Sequence, residues 1–570
     1  MRYLAFATDY DGTLAKHGFV SEEVLKALKR VRETGRLLLL VTGRELEDLM
    51  RVFPDYAIFD RIVAENGALL YRPAAKEELV LGEAPPPALV QRLQELNVSP
   101  LSVGRVIVST WSPNEQVVLE TIHALGLELQ VIFNKGAVMI LPSGVNKASG
   151  LRVALGELSL SAHNALAIGD AENDHALIAE CELGIAVANA LPLLKERADW
   201  VTRGHASDGV CEIIEELVTN DLIRLQPRLV RHDLALGKAA DGTAITLHPY
   251  GHRVLLCGVS GSGKSTLATS FFEALLERRY QFCLVDPEGD FDGVEAALVL
   301  GDQDKAPTIE EVASVLKSMD SSVIANLLSV PFDERNAFLV QLLARCSELR
   351  ASTGRPHWFV VDEAHHMLPE GDVKLLDPIA HAPSGLLLIT VHPQRIARSV
   401  LANIDTLIVV GEDTDEAVAA FAMAVGATVP DPASYEAPAA GHALIWRWQS
   451  EAPRSFIPAA PRHALHRHRR KYAAGALGED KSFYFRGPND QFNLRAQNLM
   501  LFLQIGDGVD DETWLYHLHQ HDYSAWVRTA IKNDELADEL EVIEREDNDA
   551  LSSRKRVRSA IEKIYTLPGS

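Results

Sequence analysis

Cysteine is scarce in this sequence and never paired. The five residues, at 181, 211, 257, 283 and 346, form no CxxC. Neither a disulfide framework nor a zinc site is expected, which suits a reducing cytoplasm. Long apolar runs are missing too. Residues 37–41 (LLLLV) and 386–391 (LLLITV) fall far short of a membrane span and read as buried strands of a parallel sheet. The opening residues lack the apolar core of a secretion signal, so a cytoplasmic protein with no membrane attachment is expected. Basic residues are in deficit, 55 against 79 acidic, for a formal net charge of −24. That excludes a surface basic all over and leaves room for a local basic patch.

What is present is phosphate-handling sequence, in two unlike forms. At 570 residues the chain exceeds one hydrophobic core, and three or four α/β and helical domains are expected. Near the start, an apolar run ends in DYDGTL, placing Asp9 and Asp11 at the carboxyl edge of a sheet, where open α/β folds hold their sites. A second strand, LLLLVTGR, ends in Thr42, Lys147 follows in PSGVNKASG, and a third strand runs into Asp170 and Asp174 in ALAIGDAENDHAL. Carboxylates gathered this way need a hard divalent cation such as Mg²⁺, while a hydroxyl and an ammonium can hold phosphoryl oxygens.

In order and spacing these motifs resemble those of the haloacid dehalogenase-like phosphatases, over about residues 1–222. The resemblance implies a Rossmann-like α/β core. It makes Asp9 the nucleophile that becomes an aspartyl-phosphate and Asp11 the acid that protonates the leaving group and then activates water. Thr42 and Lys147 would hold the phosphoryl group. Asp9, Asp170 and the Asp11 backbone would bind Mg²⁺, with Asp174 supporting that shell and Asn173 beside it. An insert at about 72–142 looks like the small α/β cap of the Cof-like subgroup, close in layout to archaeal phosphoglycolate phosphatases, and AENGA at 64–68 fits that subgroup. Caps close over small substrates and exclude water, which favours a small phosphate ester.

Residues 223–250 alternate around an Asp-Gly turn and suggest a hairpin leading into the next domain. Then HRVLLCGVSGSGKSTLATSFFEALLE reads strand, glycine loop, helix. Gly258, Gly263, Lys264 and Ser265 satisfy GxxxxGK[ST], in a loop that also holds Gly261, Ser262 and Thr266. The cradle implies ATP: Lys264 reaching the β and γ phosphates, Ser265 the Mg²⁺. In WFVVDEAHH, Asp362 suits the Mg²⁺ shell and Glu363 suits a base that positions water. A small-molecule kinase has no use for that glutamate, so ATP hydrolysis is the expected reaction. FCLVDPEGDFDG and LLLITVHPQRIARSVLANIDTLIVVGE resemble the HerA/FtsK branch of ring-forming P-loop ATPases, over about residues 228–450. The resemblance implies a homo-oligomeric ring, a hexamer being favoured, and a polar sensor, Gln394 first and His392 second. It also implies an arginine supplied by a neighbouring subunit, with Arg335, Arg395 and Arg398 as candidates.

The ATPase domain is expected over 251–460. A basic linker at 461–487 holds RHALHRHRRKY, which reads either as a contact to nucleic-acid phosphates with Tyr472 as a stacking surface, or, slightly favoured, as a solvated linker. Residues 488–570 read as a helical module. There His517, His519 and His521 fall at alternate positions that do not share a helix face, which disfavours zinc. The favoured whole is an Mg²⁺-dependent phosphatase fused to an ATP-hydrolysing motor or regulatory domain. The alternatives are a nucleic-acid machine acting on DNA ends, a metabolic phosphatase with an ATP-sensing domain, and, last, a bifunctional kinase and phosphatase.

Overall fold

The computed structural model describes residues 1–259, 261–291, 293–294, 296–370, 385–411, 414–435, 437–439, 441–462, 481–531, 533–546 and 549–565. They fall into two compact units, 1–288 with 296–460 and 461–570 with 289–295.

The first unit holds two large sheets. One has eight strands in the order Trp200–Val201, Leu183–Ala186, Ala165–Gly169, Ala5–Thr8, Leu37–Val41, Arg61–Ala64, Leu69–Arg72 and Glu77–Val80. The first six run parallel, Leu69–Arg72 runs antiparallel to them, and Glu77–Val80 is antiparallel to Leu69–Arg72 in turn. Apart from Thr8 the central strands carry no polar side chain, because both faces are covered. Phe6, Leu38, Leu40, Leu166 and Ile168 enter one core, and Ala5, Ala7, Leu39, Val41 and Ala167 enter the other. All the carboxyl ends then lie on one edge, where Asp9, Thr42 and Asp170 follow their strands.

The cap is a four-stranded antiparallel sheet in the order Ser102–Val103, Val108–Trp111, Ala137–Pro142 and Leu129–Asn134, with helices Pro87–Glu95 and Glu115–Ala124 and a core of its own. The start expected at residue 72 is too early. Leu69–Arg72 and Glu77–Val80 pair as a hairpin that extends the core sheet, so the insert begins after it. Glu65, buried within AENGA, fastens the return. Its carboxylate accepts from the backbone N–H groups of Arg105, Val106 and Ile107 at 2.8, 2.8 and 3.0 Å.

The second sheet has eleven strands. Their order is Ala244–Leu247, Leu234–Lys238, Arg454–Pro458, Ala443–Arg447, Thr406–Val410, Arg253–Cys257, Leu386–Thr390, Trp358–Val361, Phe282–Asp286, Ser322–Asn326 and Ala297–Leu300. The hairpin expected between the domains forms, but it is not a free connector: Gly237 and Lys238 pair with Pro458 and Ile457, making it the sheet's edge.

The two sheets meet through groups at their amino edges. Buried Glu182, just before Leu183–Ala186, takes Arg2 at 2.5 Å, His163 Nδ1 at 2.7 Å and the Tyr280 hydroxyl at 2.7 Å. His163 stacks on Tyr280 at 3.7 Å and its Nε2 lies 2.6 Å from the Arg278 carbonyl. Tyr280 and His357 in turn precede the strands Phe282–Asp286 and Trp358–Val361. The carboxyl edges, which carry both sets of phosphate motifs, therefore face away from this junction on opposite sides.

In the second unit, Phe483–Phe485 pairs with Leu494–Ala496, and helices Leu499–Gly508, Asp511–His519, Asp522–Trp526, Asp534–Glu546 and Ala550–Tyr565 follow. The module thus begins inside the stretch assigned to the linker, because Phe483 and Phe485 pack into its aromatic core with Phe502, Trp514 and Tyr523. His517 pairs with Asp522 and His521 with Glu544, so the histidines diverge. Most of the basic stretch, with Tyr472, lies outside the described residues. Among the described residues, no helix is long and apolar enough to cross a membrane.

Candidate active sites

The first site is built around one buried lysine. Asn146 caps the helix Lys147–Glu157, accepting from Ser149 N at 3.1 Å, which sets Lys147 at the first helical position. Its ammonium lies 2.6 Å from Asp9 Oδ1 and 2.6 Å from Asp174 Oδ1. Burial drives the Asp9 carboxyl up, Lys147 opposes, and Asp174 and Asp170 push it up further. Burial alone would lower the Lys147 ammonium, but its two carboxylates carry it above the ordinary lysine value. The other Asp174 oxygen accepts from the N–H groups of Asp170 and Ala171 at 2.9 and 3.0 Å. Asp174 is thereby committed on both sides and acts as a support.

Asp170 is different. Its Oδ1 is buried without a hydrogen-bond partner, and oxygens of Asp9, Asp170 and Asp174 all lie within 4.8 Å of one another. Hard carboxylate donors with one left unsatisfied fit a magnesium ion. Burial raises the Asp170 carboxyl, and Lys135 draws it back. Asp11 stands at the lip, where Arg44 grips it with two hydrogen bonds, Nε to Oδ2 at 2.6 Å and Nη2 to Oδ1 at 2.7 Å. Gly12 follows with φ +81°, and a Cβ there would fall 2.3 Å from Asp170 Oδ2. Only glycine permits that approach. Thr42 is buried, its hydroxyl accepting from Arg44 N at 3.1 Å, and Asn173 donates to Asn66 at 2.9 Å.

The structure thus gathers Asp9, Asp11, Thr42, Lys147, Asp170 and Asp174 on one edge. It adds three residues that sequence reasoning passed over. Arg44 lay in the quoted VTGR. Asn189 bonds both the Gly12 carbonyl and Asp170. Lys135, at the tip of a cap hairpin, puts its ammonium 2.5 Å from Asp170 Oδ2. The Asn-Lys-Gly turn between two apolar runs signals that hairpin, though not where it lands.

The second site occupies the carboxyl edge of the eleven-stranded sheet. Gly258, Gly261 and Gly263 hold φ of +149°, +81° and +105°, and the helix Lys264–Glu277 starts from the last of them. A Cβ at Gly258 would meet the Val410 carbonyl at 2.1 Å. Lys264 is buried and donates to the Val259 carbonyl at 2.9 Å, across the loop it closes. Ser262 Oγ is buried with no hydrogen-bond partner among the described residues, which suits a loop shaped for phosphate oxygens. Ser265 and Thr266 lie in the first turn of that helix, and Ser260 falls outside the described residues.

Asp362 is buried at the end of its strand, and Glu363 follows in the left-handed region, φ +46° and ψ 44°. His365 Nδ1 lies 3.1 Å from Thr390 Oγ1 and 3.3 Å from Glu363 Oε2. Burial lowers the His365 imidazole to about 4, and His366, His392, Arg395 and Lys264 add to the effect. His365 and Thr390 also went unnoticed in the sequence. Gln394 and His392 share a cavity of about 270 Å³ with Gly258 and Val259. Of the arginines, Arg335 donates to the Val330 carbonyl at 3.0 Å, whereas Arg398 is 81% exposed and 3.9 Å from Glu370.

A third cluster, His163, Glu182 and His232, has metal-like spacing, but Arg2 already neutralises Glu182.

Comparison with known proteins matches two separate stretches of the chain. The haloacid dehalogenase-like hydrolase family matches residues 6–99 and 112–214, and the adenylylsulphate kinase family matches 250–345. A phosphoglycolate phosphatase of Methanothermobacter thermautotrophicus is 30% identical over 223 residues, 38% of this chain and 98% of that protein. Phosphoglycolate phosphatase 2 of Saccharolobus solfataricus is 31% identical over 223 residues, 38% and 92% respectively. A haloacid dehalogenase-like hydrolase structure from Bacteroides thetaiotaomicron aligns at 22% identity and TM-score 0.34, over 38% of this chain and 99% of that one.

Proposed function

Through its first 214 residues the chain belongs to the haloacid dehalogenase-like hydrolases, and we propose that it pairs a phosphatase for small phosphate monoesters with an ATP-hydrolysing P-loop domain. The Asp9–Lys147–Asp174 chain, with Asp11 gripped by Arg44 beside it, carries the first half of this reading. Asp9 attacks phosphorus, the ester P–O bond breaks, and Asp11 gives its proton to the departing alkoxide. Asp11 then takes a proton from the water that releases phosphate from Asp9. Lys147 and Thr42 hold the phosphoryl oxygens. A magnesium ion held by Asp9, Asp170 and the Asp11 backbone, with Asp174 in support, would neutralise charge on the phosphoryl group. The relatives' name suggests phosphoglycolate as the first ester to try, and the cap suits a small substrate.

For the second half, strand order supports hydrolysis. Leu386–Thr390 lies between the cradle strand Arg253–Cys257 and the acid strand Trp358–Val361. Thr390, His392 and Gln394 therefore sit between the phosphates and Glu363, where a water would be oriented. Lys264 and Ser262 would meet the phosphates, Ser265 and Asp362 a magnesium ion, and Gln394 would sense the γ phosphate. The adenylylsulphate kinase match favours a kinase as the second reading, but it stops at residue 345, before Asp362 and Glu363. Phosphate released from ATP without an acceptor separates the two.

A HerA-like ring is the further proposal, completed by Arg398 from a neighbouring copy and bound to DNA through the basic stretch. Light scattering with nucleotide and salt-dependent DNA binding test it. The deciding experiment for the whole is phosphate release from 2-phosphoglycolate, other monoesters and DNA ends, with and without ATP, in the full chain and in Asp9→Asn. A full chain that releases phosphate from none of them overturns the phosphatase.

A further inference from the structure

The cap brings a charged group, Lys135, to the first site, and its placement bears on the substrate. Lys135 stands at the tip of the hairpin between Leu129–Asn134 and Ala137–Pro142, itself in the left-handed region with φ +49° and followed by Gly136 at +91°. The tip is docked at two points. The Lys135 N–H donates to Glu172 at 3.2 Å, and the ammonium meets Asp170 at 2.5 Å. That ammonium lies 2.6 Å from where a Cβ on Gly12 would be, so it stands over the residue next to Asp11. Asp11 marks the side from which the alcohol departs.

The other two cations are engaged at the reacting end. Lys147 is buried between Asp9 and Asp174, and Arg44 is divided between Asp11 and Asp48. Lys135 has three N–H donors and uses one, and its side chain is 46% exposed. Of the three it is the one that combines two further donors with an exposed side chain. Four carboxylates crowd this edge, and a substrate carrying a further negative charge on its alcohol portion needs a cation placed there.

We propose that Lys135 determines substrate choice by binding a carboxylate on the leaving-group side of the phosphate ester. This rests on the phosphatase reading above. The substrate class is then a short phosphorylated hydroxy acid. Closure of the cap over it and recognition of its carboxylate become one event, because the same hairpin tip does both.

The test compares two esters with the same two-carbon chain, 2-phosphoglycolate and ethyl phosphate, of which the first ends in a carboxylate and the second in a methyl. Charge-assisted hydrogen bonds of this kind correspond to roughly ten- to hundred-fold in binding. Lys135→Met is expected to lower kcat/KM for phosphoglycolate by that factor and ethyl phosphate far less, collapsing the ratio. Lys135→Arg should restore part of it. Binding provides an independent reading. In the Asp9→Asn background, calorimetry should show 3-phosphonopropionate binding more tightly than propylphosphonate, and Lys135→Met should erase the preference. Equal losses on both esters, or an unchanged preference in binding, overturns the proposal. A full chain inert toward both esters counts instead against the phosphatase reading, and the binding pair then decides on Lys135.

Discussion

The hydroxyl of Tyr280, on the P-loop side, donates to Glu182 of the phosphatase side at 2.7 Å. Glu182 is fully buried and also takes Arg2 and His163. Removing one member of a buried ionic set costs about 3–5 kcal/mol because its partners stay buried and uncompensated. Glu182→Ala is therefore expected to destabilise by that much, and Tyr280→Phe by less, about 1.5–3 kcal/mol, a single hydrogen bond to an ionised acceptor lost. Urea unfolding of the full chain measures both. A Glu182→Ala protein as stable as the parent shows that the junction does not hold the two domains together.

The same junction makes stability depend on pH. Burial lowers the His232 imidazole to about 4, with Glu182 opposing and Arg231 and His163 reinforcing. Between that value and the ordinary value of about 6.5 the unfolded chain binds a proton that the folded chain refuses. Stability contributed here is present above about 6.5 and is lost as pH falls toward 4, up to on the order of 3 kcal/mol. His232→Gln should flatten that slope between pH 7 and 5. An identical pH dependence in parent and variant would refute the assignment.

Asp9→Asn keeps its shape and loses the nucleophile, so phosphate release from esters should collapse while ATP hydrolysis continues. Lys264→Ala should do the reverse. The separation is expected because the two sites lie on opposite sides of the amino-edge junction. Loss of ATP hydrolysis in Asp9→Asn would refute two independent sites.

Exhaustive removal of divalent metal should abolish ester hydrolysis. Asp9, Asp170 and Asp174 would otherwise press on a dianionic phosphate, at about 4 kcal/mol per charge pair for 4 Å and an effective dielectric near 20. Full activity in chelator refutes the proposed metal.

Groups that follow a strand within a few residues were readable from the chain alone. Asp9, Thr42, Asp170, Asp362 and the glycine loop are placed by local geometry, since a buried parallel strand delivers its next residues to the carboxyl edge. Lys135 and Asn189 were not readable, because each depends on where a distant hairpin or loop lands. The junction was invisible for a related reason: Arg2, His163, Glu182, Tyr280 and His357 are scattered singly, and only the packing of two sheets makes them neighbours. The cap boundary failed because Glu77–Val80 is exposed along its length. It carries no apolar alternation, yet it pairs with Leu69–Arg72.

Glu363 offers the sharpest test of the second site, because its backbone and its side chain make opposite demands. A non-glycine residue at φ +46° is strained by roughly 1–2 kcal/mol. A structural role alone would be served better by glycine. Glu363→Gly is accordingly expected to stabilise the fold by about 1 kcal/mol while abolishing ATP hydrolysis. Glu363→Gln keeps the strain and nearly the same shape. It should bind ATP with unchanged affinity and hardly turn over, since an amide cannot take the proton of the attacking water. Calorimetry for binding and phosphate release for turnover separate these outcomes. Glu363→Gln that hydrolyses ATP at the parental rate would remove this residue from the mechanism and leave the kinase reading of the P-loop domain the stronger one.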